Sequence, residues 1–61
     1  MENDLVLDIL KDGEKSTTEI ASKLKRNYYD CIQILEELLS QNKIEKVEVG
    51  KYTFWRLKSL Q

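Results

Sequence analysis

An α+β fold, three helices followed by a two-stranded antiparallel hairpin, is what this sequence predicts. Three observations carry the prediction. Apolar residues recur three and four apart in three separate stretches between Leu5 and Leu39. Cap and stop residues punctuate those stretches, with Gly13, Ser16, Asn27 and Asn42 at the breaks. From Ile44 onward the texture becomes β-branched and aromatic on either side of Gly50-Lys51.

Helix one is expected over residues 4 to 12. Asn3 or Asp4 caps it, Leu5, Val6, Ile9 and Leu10 form its apolar stripe, and Asp12-Gly13 ends it. Asp4 and Asp8 stand early in this helix, where a carboxylate suits the positive end of the helix dipole. Lys15 to Thr17 fit either a loop or a brief extended segment.

Ser16-Thr17-Thr18-Glu19 has the form of a capping box, in which the serine hydroxyl accepts from a free amide and the glutamate reaches back. Helix two is therefore expected over 17 to 25, with Ile20, Ala21 and Leu24 as its buried stripe. Asn27 opens helix three, expected over 28 to 41. At about 100° per residue, Cys31, Ile34, Leu35, Leu38 and Leu39 spread over one inner face, with Ile32 at its margin and Tyr28 above it. Tyr29, Gln33, Glu36, Glu37 and Ser40 form the outer face. Two helices separated by so short a break read as a helix-turn-helix.

The hairpin pairs residues 44–49 with 52–58 around a two-residue turn that begins with glycine. Side chains alternate along a strand, so Thr53, Trp55 and Leu57 share one face and Tyr52, Phe54 and Arg56 the other. Trp55 and Leu57 are expected to be buried.

Composition bounds the chemistry. Residues 1–61 form one domain, near the lower size at which a core holds without disulfides or a metal. One cysteine and no histidine leave no basis for an internal disulfide or a cysteine–histidine metal site, so neither metal nor cofactor is expected. An enzyme is not expected either. There is no glycine-rich phosphate loop, no activated nucleophile pair and no carboxylate pair in a foreseeable cleft. No apolar run approaches the roughly 20 residues of a membrane span, and no leader precedes helix one, so a cytoplasmic location is the expectation.

Net charge is −1, yet its distribution is uneven: residues 1–14 carry −4, 15–30 carry +2, 31–42 carry −2 and 43–61 carry +3. Positive charge gathers at the turn and in the C-terminal hairpin.

The Ser16-to-Ala21 segment with its Glu-Ile-Ala, Leu24 before the turn, the Leu35, Leu38 and Ile44 spacing, and the closing Phe54-Trp55-Arg56-Leu57 resemble the winged helix-turn-helix domains of small bacterial and archaeal transcription regulators. The resemblance covers residues 5 to 58. It implies that helix three is a recognition helix, that the hairpin is a wing, and that the partner is double-stranded DNA. It would place DNA against Lys25, Arg26, Asn27, Tyr28, Tyr29 and Gln33, with Lys51 at the wing tip and Arg56 on the wing.

Physical chemistry gives these residues jobs. Lys25, Arg26 and Lys51 neutralise phosphates, each contact steepening the salt dependence. Asn27 and the first amides of helix three offer donors to a phosphate, or Asn27 serves only as a cap. Gln33 has the amide that pairs with adenine, and Tyr29 lies one turn before it. Tyr28 packs toward the core or meets a base, and Cys31 is a small buried hydrophobe. Glu36 and Glu37 would repel phosphates unless the N-terminal end of the helix enters the groove.

The closing Phe-Trp-Arg-Leu is also weakly similar to the Zα domains that bind left-handed DNA. Trp55 matches, but Ile32 and Glu36 stand where that family has its asparagine and tyrosine, so that activity is not implied. A second function class is a protein-interaction winged helix, an accessory subunit of a transcription, replication or sorting complex. Its contact surface would be Tyr52 and Phe54 or the acidic first helix. A monomer or a weak dimer, joined through helix one or the hairpin edge, is expected.

Overall fold

The computed structural model describes residues 2–58. The remaining terminal residues of the expected 1–61 domain lie outside the described residues. Helix α1 spans Glu2–Leu10, earlier at both ends than its apolar spacing suggested, so Asn3 and Asp4 sit inside its first turn instead of capping it. Gly13 closes it: its N–H donates to the Leu10 carbonyl at 3.0 Å and its φ of 123° is one that only glycine adopts without strain. Val6 and Leu10, one turn apart, are the buried residues of this helix. Leu5 lies about 100° around the helix from Val6 and is 54% exposed. Three of the four expected stripe residues, Val6, Ile9 and Leu10, thus pack on the core, and Leu7 takes the place expected of Leu5.

Helix α2 spans Thr17–Leu24 and α3 spans Tyr28–Ser40. Ser16 Oγ accepts the Glu19 N–H at 3.2 Å, and Asn27 Oδ1 accepts the Asp30 N–H at 2.8 Å. Each helix therefore starts on a side chain that satisfies an otherwise free amide. Helix α2 ends where Lys25 adopts φ 58°, ψ 41°, and the Arg26 N–H returns to the Ala21 carbonyl at 3.1 Å. Asn42 plays the same part after α3 with φ 62°.

Strands β1 (Lys15–Ser16), β2 (Ile44–Val49) and β3 (Tyr52–Leu57) form one antiparallel sheet in the order β1-β3-β2. The hairpin closes at Val49↔Tyr52, with Gly50 at φ 60° in the turn. Its partner β1, left open by the sequence, adds Lys15↔Trp55 and Ser16↔Phe54. The wing is therefore part of a three-stranded sheet. Ser16 belongs at once to that sheet and to the cap of α2, and this joins the wing to the helix-turn-helix.

The core holds Val6, Leu10, Ile20, Ala21, Cys31, Leu35, Leu38, Ile44 and Trp55. Trp55 is fully buried, and its indole N–H donates to Thr17 Oγ1 at 2.7 Å. Thr17, at 4% exposure, is the buried polar residue that the periodicity did not single out. Leu57, expected inside, is half-buried beside the core.

Candidate nucleic-acid interface

The turn between α2 and α3 supplies three of the expected contact residues, and each has a different fate. Lys25 is exposed and holds the left-handed backbone position that ends α2. A β-carbon there costs roughly 1–2 kcal/mol, and glycine is the usual occupant. Arg26 reaches across to α1 and its Nε–H donates to Glu2 Oε2. The hydrogen bond and charge of Glu2 push the guanidinium pKa above its already high ordinary value. Asn27 uses its carbonyl oxygen as the α3 cap, which leaves its NH2 as the group that faces outward chemistry.

On α3, Tyr28 and Tyr29 are 50% and 77% exposed, and their rings meet edge to face with centroids 5.9 Å apart. The core-packing alternative for Tyr28 does not hold. Tyr28 instead lines a surface recess with Lys51 and Tyr52, outside the buried core that holds Cys31 and Trp55. Gln33 is exposed, but it shares a groove with Glu2, Arg26, Asp30 and Glu37, so its surroundings are largely acidic.

The hairpin brings Lys51 back toward α3. Lys51, Tyr52, Tyr28 and Thr18 line one recess of about 130 Å3 between the wing tip and the helices. Thr18 was not among the expected residues. The signal for it was available in the capping box, which puts the first turn of α2, with its free amides, beside whatever the wing covers. Arg56 stands apart from this cluster: it faces Glu45 across the hairpin and donates to its carboxylate at 2.8 Å.

The two arginines are therefore paired with carboxylates, whereas among the described residues Lys25 and Lys51 enter no ion pair. Farther along α3 the surface turns acidic. Lys46 lies 4.0 Å from Glu36 and 3.8 Å from Glu48, and its ammonium sits 5.6 Å from the Trp55 ring centroid. Cys31 is buried, its Sγ 3.9 Å from the Thr17 carbonyl oxygen, and burial pushes its thiol pKa up, away from the reactive thiolate. Among the described residues no cluster of three or more potential metal ligands occurs, and no helix is long and apolar enough to cross a membrane.

Three helices, a capped turn and a hairpin sheet packed on the first turn of α2 make this the winged helix-turn-helix fold. No protein-family profile matches the sequence, and no curated protein shows a significant match. Solved structures do. The chain is similar to a homodimeric winged helix-turn-helix DNA-binding domain from Mycobacterium bovis, described as a possible ArsR-family transcriptional regulator, with TM-score 0.90, 24% identity, 95% of this chain and 54% of that chain covered. It is similar to reduced HlyU from Vibrio cholerae, with TM-score 0.90, 24% identity and 97% and 62% covered. It is also similar to ZitR from Lactococcus lactis, solved as a cysteine-to-serine mutant in complex with DNA, with TM-score 0.86, 22% identity and 93% and 41% covered. The chain thus spans between about four-tenths and six-tenths of these proteins, and at such identities the likeness is one of fold.

Proposed function

We propose that this chain binds double-stranded DNA as the DNA-binding part of a transcription regulator. The N-terminal end of α3 enters the major groove and the wing rests on the flanking backbone. The observation that carries the reading is Lys25. A lysine occupies the left-handed position where glycine is cheapest, on the exposed turn that leads into α3. A cation kept there at a conformational cost has its use in its charge. Lys51 at the wing tip supplies a second cation, in the recess it shares with Tyr28. The likeness of the fold to ZitR, a protein solved in complex with DNA, supports the same reading.

In this arrangement Lys25 and Lys51 neutralise phosphates directly. Arg26 and Arg56 do so only by exchanging Glu2 and Glu45 for a phosphate. Tyr29 and Gln33 face the bases, with the Gln33 amide suited to adenine. Glu36 and Glu37 confine contact to the first turns of the helix.

The test is a fluorescence-anisotropy titration with mixed duplex DNA over a range of salt. The logarithm of affinity should fall linearly with log salt by about 0.9 per phosphate contacted. Lys25→Gln should weaken every sequence alike, while Gln33→Ala should change the preference at one base position. Absent or salt-insensitive binding at low ionic strength would remove the reading.

A protein-interaction role draws on one observation, the exposed Leu5 on the acidic α1. The Tyr52 and Phe54 surface is less suited to it, because Phe54 is half-buried and pairs with Ser16 of β1. A partner retained after nuclease treatment and lost on Leu5→Ser would favour that role.

A further inference from the structure

All three tyrosines of the chain lie on one continuous stretch of surface. Tyr28 and Tyr29 open α3 in edge-to-face contact, and Tyr52 opens β3 and lines the recess with Tyr28 and Lys51. Each of these residues is at least half exposed. None of them belongs to the buried core, whose aromatic residue is Trp55. Exposed aromatic rings beside unpaired cations have a specific use. In a duplex the faces of the bases are stacked on one another, and a tyrosine reaches only their edges and the backbone. In a single strand the faces are open, and stacking on a tyrosine becomes the main attraction while lysines follow the phosphates.

We propose that this surface binds single-stranded DNA. Bases stack on Tyr29 and Tyr52, while Lys51, beside Tyr28 and Tyr52, and Lys25, on the turn before α3, hold the backbone. The inference rests on the DNA-binding reading and adds an unpaired substrate to it, as at a melted or frayed site next to a bound duplex. The tract is short. Glu36 lies seven residues beyond Tyr29, about 10 Å along α3 at 1.5 Å per residue, and from there the helix repels phosphates. Stacking is tolerant of base identity, so the preference is for unpaired over paired DNA more than for any one base.

The experiment titrates the full chain into a labelled oligothymidylate and, separately, a blunt hairpin duplex at low salt. Oligothymidylate should bind. Tyr29→Ala and Tyr52→Ala should each weaken that binding roughly 5- to 100-fold with a smaller loss on the duplex, whereas Tyr29→Phe and Tyr52→Phe, which keep the ring, should stay within about twofold of the parent. Both side chains stand on the surface, and far-UV circular dichroism checks that the fold is retained. Duplex binding without oligothymidylate binding overturns this proposal alone. Failure of both ligands overturns the DNA-binding reading with it. Equal losses on the two ligands in the alanine variants also overturn it, because stacking would then not be the attraction.

Discussion

The inward and outward sides of the segment from Ser16 to Gln33 are built to different ends. Inward, Ile20, Ala21 and Cys31 are buried in one core with Trp55, and among the described residues no buried polar side-chain atom lacks a hydrogen-bond partner. Outward, Lys25 sits in a left-handed conformation, Arg26 is held by Glu2, and two tyrosines face solvent. The inner side follows every rule of local stability. The outer side breaks two of them, a β-carbon at positive φ and large exposed rings, within a few residues of each other. Where local rules are broken together next to a well-formed core, the cost is retained for a purpose other than folding.

Substitutions at three positions probe that contrast. The largest effect should come from Trp55→Ala, which empties the core beneath the sheet and strips Thr17 Oγ1 of its donor. A loss of about 3–5 kcal/mol would consume most of the stability of so small a domain, so thermal melting by circular dichroism should show a largely unfolded variant. Trp55→Phe should cost less, about 1–3 kcal/mol from the orphaned hydroxyl. An unchanged melt for both would mean that the wing is not what closes the inner side.

Lys25→Gly should act on both sides at once. Relief of the left-handed strain should raise stability by about 1 kcal/mol, read as a higher denaturation midpoint, while duplex affinity falls for every sequence. A variant that is both more stable and an equal binder would show that Lys25 is an ordinary helix cap.

The smallest effect is expected from Glu2→Gln. Releasing Arg26 from its carboxylate should leave the melting temperature nearly unchanged, because the pair is exposed. It should also steepen the salt dependence of DNA binding by about one phosphate contact. A slope equal to the parent's would place Arg26 outside the interface.

Much of the fold was legible in the chain. Val6, Leu10, Ile20, Ala21, Leu35, Leu38 and Trp55 all occupy the core their spacing indicated, because a buried stripe has a period and a period is written in the sequence. Helix ends were less so: α1 lies two residues earlier than its cap candidates implied, since Asn3 and Asp4 suit the first turn as well as the cap. The candidate site was legible as residue types and not as availability. Arg26 and Lys25 look alike in sequence, and so do Arg56 and Lys51. The carboxylates that hold the arginines come from 24 and 11 residues away.

By itself, then, the sequence determined the elements and their inner faces: three helices, two of them capped by Ser16 and Asn27, a glycine-turned hairpin and the apolar residues that join them. These depend on neighbours within a few residues, where propensity, capping and periodicity act. Only the tertiary structure decided that Lys15–Ser16 completes the sheet, that Thr17 is buried to receive the Trp55 indole, that Tyr28 is a surface ring, and which cations keep their charge unpaired. Each of these rests on a partner far along the chain. Contacts of that kind have no local signature, because they exist only after the elements have packed.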